Sequence, residues 1–210
     1  MRNKIYALFM ISAIILSVAG LTYAHWADSI YIYGRVKMAH IRLTITSYKN
    51  LTSKSVMRYS TIISELSEDG HMLTLICTGL RPSWFIWIGL VTQNQGSLPA
   101  NVKPPQYSFE GPDGFHDYFE TAEYFYGPYP KNTGYGNLEV WGDVKVSDDG
   151  PLKPDGTVTF QTDPNVPPFT AQPLEKVVIW IWIHVRSDLP SNAQGKSIKL
   201  YINIVDDIAI

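Results

Sequence analysis

Two stretches of this chain, residues 84–91 and 177–185, are apolar at nearly every position and rich in β-branched and aromatic side chains. The second reads Val177-Val178-Ile179-Trp180-Ile181-Trp182-Ile183-His184-Val185. Successive side chains of a strand point to opposite faces, so a run apolar at both parities is a strand covered on both sides. The other strand signals alternate. Residues 56–66 and 71–78 flank Glu68-Asp69-Gly70, a hairpin turn with glycine where positive φ is needed. Residues 138–147, 156–162 and 197–205 add further strand-like runs, while 96–114, 127–136, 148–156 and 163–173 collect proline and glycine and read as loops. Helical periodicity is nearly absent. Roughly nine short strands separated by such loops predict an all-β fold, a two-sheet jelly-roll-like β-sandwich.

The N-terminus carries a different signal. Arg2 and Lys4 precede an apolar run over residues 5–21 that exits through Thr22-Tyr23-Ala24. That is the charged, apolar and small-residue order of a cleavable secretory signal covering residues 1–24. A retained membrane anchor is the competing reading, because the run approaches spanning length. The whole chain has 17 basic and 19 acidic residues, and loss of Arg2 and Lys4 makes it more acidic still. With no basic block, nucleic acid is excluded as a partner class. Cys77 is the single cysteine, so no intramolecular disulfide staples the fold; its apolar surroundings make it a small core residue. Asn50-Leu51-Thr52 is a sequon, a weak signal consistent with an exported surface loop and with N-glycosylation at Asn50.

Behind the signal lies an alternating extended segment, residues 25–36. Trp26, Ile30, Ile32 and Val36 share one face, Tyr31 and Tyr33 the other, and Asp28 interrupts the apolar face, either as a register mark or as a partner for a basic residue at the mouth of an acceptor groove. Over residues 37–40 the phase breaks, and the apolar set moves to Ile41, Leu43 and Ile45. A period-2 pattern changes phase only at a bulge, bend or turn, so residues 25–38 are separable from the body at 39–210. Pattern alone leaves two destinations open: the first strand of its own sheet, or a strand added to the sheet of another molecule.

Several short motifs, taken in order, resemble the TasA/camelysin type of exported protein, which has archaeal relatives among bundling pili. They are the Thr22-Tyr23-Ala24 junction, Trp26-x-Asp28, Ile32-Tyr33-Gly34, Leu80-Arg81-Pro82-Ser83-Trp84, Asn94-Gln95-Gly96-Ser97-Leu98-Pro99, and Leu152-Lys153-Pro154-Asp155-Gly156-Thr157. The resemblance implies a jelly-roll subunit that donates its N-terminal strand to the next copy. The product is an extracellular filament, a head-to-tail homopolymer that bundles cells in biofilms. The family's donor segment falls on Trp26, Asp28, Ile30, Ile32, Gly34 and Val36.

Catalytic signals are weak. The five histidines form no His-Glu-x-x-His, and no Gly-x-Ser-x-Gly occurs. The cluster from His116 to Glu123 reads as a solvated loop with aromatic anchors, and Asp148-Asp149-Gly150 as a turn rather than a calcium loop. No enzyme activity, cofactor or metal is therefore expected. The rival to a filament subunit is a monomeric carbohydrate-binding sandwich, secreted or surface-anchored. Its aromatic interface would be built from Tyr124, Tyr126, Tyr129 and Trp141, facing cell-surface glycans or a neighbouring fibre.

Overall fold

The computed structural model describes residues 6, 9–19, 39–131, 138, 160–161 and 169–208. The chain divides between Met38 and Ala39 into two units. In the first, residues 9–19 are helical; among the described residues no helix is long and apolar enough to cross a membrane. The expected cleavage region at 22–24 and the leading segment 25–36 lie outside the described residues.

The second unit is a two-sheet antiparallel sandwich, as the strand pattern requires. In chain order its strands are β1 (Leu43–Leu51), β2 (Thr61–Leu66), β3 (Met72–Thr78), β4 (Phe85–Asn94), β5 (Ala100–Val102), β6 (Gln106–Glu110), β7 (Phe119–Tyr129), β8 (Phe160–Gln161), β9 (Phe169–Ala171), β10 (Lys176–Val185), β11 (Ile198–Asn203) and β12 (Asp206–Ile208). One sheet has the order β1-β4-β10-β7-β8, the other β2-β3-β11-β6, and a small third sheet β12-β5-β9 closes one pole. The β2–β3 hairpin turns at Gly70, whose φ is 74°.

The two double-faced apolar runs become β4 and β10, paired with each other at the centre of the larger sheet. Ile86, Ile88 and Leu90 of β4 and Ile179, Ile181 and Ile183 of β10 face the second sheet, where Leu73, Leu75, Cys77, Leu200 and Ile202 meet them. Their other faces, Trp87, Val91, Val178 and Trp180, join Tyr126, Tyr129 and Leu138 in a separate apolar layer outside the sheet. Gly89 serves that layer. A Cβ there would stand 2.8 Å from both Leu138 and the Trp180 indole, so its absence lets the large ring lie against the sheet. Each fully buried aliphatic or aromatic side chain stabilises by about 1.5–3 kcal/mol, so the doubly covered sheet dominates the fold's stability.

Several sequence expectations are corrected; within the expected loops 127–136 and 163–173, residues 127–129 end β7 and 169–171 form β9. Residues 96–114, expected as loop, contain β5 and β6; β6 is an edge strand, which tolerates Pro104 and Pro105 immediately before it. The segment after His116, expected as a solvated loop, is the 11-residue β7. Glu120, Thr121 and Glu123 hide its alternation, and Pro128 sits where the β7–β10 register shifts, so it breaks no regular ladder. Strand structure begins only at Thr61 in the 56–66 run, after one helical turn, Lys54–Met57, capped by the Ser53 side chain. The runs at 138–147 and 156–162 lie outside the described residues except at Leu138 and β8.

Candidate functional site

The expected donor residues Trp26, Asp28, Ile30, Ile32, Gly34 and Val36 lie outside the described residues; the point where that segment joins the sandwich does not. Residues 40–42 run antiparallel to the turn after β4. Gln95 N–H donates to Arg42 O (2.7 Å) and Ser97 N–H to His40 O (2.8 Å), while Ser97 Oγ accepts from His40 N–H (3.1 Å). The turn is held from inside by Asn94, which is fully buried. Its Nδ2 donates to Leu98 O (2.7 Å) and Ala171 O (2.9 Å), and its Oδ1 accepts from Gly96 N–H (2.9 Å). A Cβ on Gly96 would come within 2.5 Å of His40 O, so only glycine lets the entering chain pass this close. The last strand, β12, pairs with β5 at Ile208 and Ala100. Both ends of the described sandwich therefore sit at one pole.

The two long seams between the sheets differ. At the β1–β2 seam Ile45 N–H donates to Gly70 O (2.7 Å), Tyr48 Oη to Ser64 O (3.1 Å), and Asn50 Nδ2 to Ser64 Oγ. At the β7–β6 seam Tyr107 Oη donates to Glu123 Oε1 (2.5 Å), and the Phe109 and Phe119 rings stand 5.3 Å apart. Burial first, then the Glu123 charge and hydrogen bond, hold the Tyr107 phenol far above its ordinary pKa, so it stays a donor. On the outer side of β6 no strand pairs with it among the described residues. Its inward residues Tyr107 and Phe109 pack on the core. Its outward ones are polar, and Glu110 lies 3.8 Å from Lys199.

The aromatic interface expected from sequence does not form as an external platform. Tyr126 and Tyr129 are buried in the outer apolar layer, and only Tyr124 is half-exposed, with its ring 5.6 Å from that of Trp87. Strand alternation sends Tyr124 and Tyr126 to the same face, where Trp180 and Leu138 already lie. Trp141 lies outside the described residues. On that same sheet Trp182 stacks on His184 at 5.0 Å, and His184 Nδ1 is 3.2 Å from Glu120.

Asn50 is a strand residue of β1, not a loop residue, and Nδ2, the atom a glycan would take, is committed to Ser64. Cys77 is buried, which pushes its thiol up to about 12. His116 pairs with Asp117 at 3.1 Å on the surface. Among the described residues no three His, Cys, Asp or Glu side chains converge as metal ligands; His25 and Asp148 lie outside them. From sequence, Asn94 stands out only as the start of the Asn94-to-Pro99 motif, not as a structural hub. An Asn-x-Gly turn signal is present there, but nothing local shows that its amide reaches Ala171. Comparison with family models, with curated proteins and with solved structures gave no match.

Proposed function

We propose that this chain is an exported structural subunit of an extracellular filament, with residues 25–36 of one copy completing a sheet of the next. The observation that supports this best is the outer edge of β6, a strand edge left without a neighbour among the described residues. Such an edge is a template for another chain, and main-chain bonds to an added strand provide affinity while alternate side chains provide register. Two features of the chain agree. The alternation of 25–36 breaks before the body's own ladder starts at His40, so the segment and the sandwich are separate pieces of pattern. Head-to-tail donation is heterologous and does not close, so it gives filaments. The glycan-platform alternative is weakened by the burial of Tyr126 and Tyr129.

Deleting residues 25–36 tests the reading. Electron microscopy of the purified full chain should show filaments, and denaturing gels should show high-mass ladders that collapse on boiling. The deleted chain should give neither while keeping its β-sheet circular dichroism. Undiminished filaments after the deletion would reject strand donation.

A further inference from the structure

The turn leading from β3 into β4 borders a pocket of about 200 Å³ at the pole opposite to the chain ends. Val56, Tyr59 and Ser60 supply one wall, Arg81, Ser83 and Trp84 the other. The β2–β3 hairpin brings the walls together: Ser60 Oγ donates to Gly79 O (3.1 Å), and a Cβ on Gly79 would lie 2.1 Å from Tyr59 O.

Arg81 is exposed, with its guanidinium 4.1 Å above the centre of the Tyr59 ring. Among the described residues it takes part in no ion pair. Cation–π attraction holds the guanidinium over the ring, and its N–H donors suit a planar anion. Beside it, Trp84 N–H bonds Arg81 O (3.1 Å), closing a tight turn with Pro82 second and Ser83 third. Ser83 has φ 59°. That position favours glycine, so a serine is held there under strain, and held strain beside a concavity points to use of the side chain. Trp84 is 3% exposed, and its Nε1–H is buried with no acceptor among the described residues. The wall thus offers a cation and hydroxyls but no acidic side chain, on a chain of formal net charge −2. A set composed this way is complemented by an anion bearing hydroxyls of its own.

We propose that this pocket binds one uronate unit of an acidic polysaccharide, Arg81 pairing with its carboxylate and the Ser83 and Tyr59 hydroxyls meeting those of the sugar ring. The site is small enough to hold a single ring and does not depend on whether the chain polymerises. The test is a nuclear magnetic resonance titration of the full chain with sodium glucuronate, with glucose and N-acetylglycine as comparison probes. Glucuronate binds, N-acetylglycine binds more weakly and glucose does not. Arg81→Ala weakens glucuronate binding by about tenfold or more, as loss of a hydrogen bond to a charged group does. Ser83→Gly weakens binding while raising the melting midpoint, because glycine relieves the turn; a serine with only a structural role gives the second effect without the first. Glucose or N-acetylglycine binding as well as glucuronate, no glucuronate binding, or variants that titrate like the parent overturns the proposal.

Discussion

Replacing Asn94 by alanine is the most direct perturbation of the pole where the chain enters the sandwich. The side chain makes three hydrogen bonds there, to Leu98 O, Ala171 O and Gly96 N–H, and the residue is 0% exposed. A typical bond contributes about 0.5–1.5 kcal/mol net, and a buried group left without a partner costs about 1–3 kcal/mol. Alanine removes all three bonds in a place water does not reach, so the expected loss is about 3 kcal/mol. Aspartate is the sharper variant. It keeps one oxygen as the acceptor for Gly96 N–H but loses both donors and sets the other carboxylate oxygen against two carbonyls, so it should cost at least as much as alanine. Urea unfolding followed by tryptophan fluorescence reads both. With a slope of about 2 kcal/mol per molar, alanine moves the midpoint down by about 1.5 M. A loss below about 1 kcal/mol for alanine, or an aspartate variant more stable than alanine, would refute the role assigned to this amide.

Gly79→Ala should cost about 2 kcal/mol or more in the same assay, since φ is +70° and the new Cβ meets a backbone carbonyl at 2.1 Å. Tyr107→Phe strips the donor from Glu123 across the β7–β6 seam and should cost about 1–3 kcal/mol, whereas Glu123→Gln, which keeps an acceptor, should cost less. The Cys77 thiol should react with a thiol-specific disulfide reagent only after unfolding, because it is buried. Burial holds its folded pKa at about 12, above the ordinary 9.0. The stabilising contribution is therefore complete below about 9 and is lost as pH rises toward 12, a loss that Cys77→Ala removes.

What could be read from the sequence follows from which side chains report burial. β4 and β10 were legible because Trp87, Trp180 and the isoleucines between them fill both faces of the sheet. β7 was not, since Glu123 faces the core beside Phe125, where Tyr107 comes from the other sheet to meet its carboxylate. β6 was hidden behind Pro104 and Pro105, a pair that signals loop unless the strand is known to lie at an edge. Tyr126 and Tyr129 looked like an exterior platform because composition does not show which face an aromatic takes; pairing with β10 decides it. The pocket beside Arg81 was invisible for a related reason. Tyr59 and Arg81 are brought together by a hairpin whose strands separate them in the chain. For the leading segment the period of two is identical in a strand kept at home and a strand given away, so its destination needs a measurement.

That measurement follows from alternation. Under the proposed donation Ile32 enters a neighbour's groove, while Tyr31, one residue earlier, faces outward. Ile32→Asp loses about 1.5–3 kcal/mol of burial and adds the cost of a carboxylate entering an apolar slot. Each 1.4 kcal/mol is tenfold in an equilibrium, so the critical concentration for assembly should rise by about a hundredfold or more. Tyr31→Asp stays in solvent and should move it by no more than about tenfold. The melting midpoint of dilute, unassembled protein separates the two destinations. A donated strand contributes nothing to the isolated subunit, so Ile32→Asp should leave that midpoint where it was. A strand paired within its own sheet would show the reverse, with a lower monomer midpoint and assembly affected only through it. Equal effects of the two aspartates on assembly would mean that the segment acts through charge or solubility and not through a paired face.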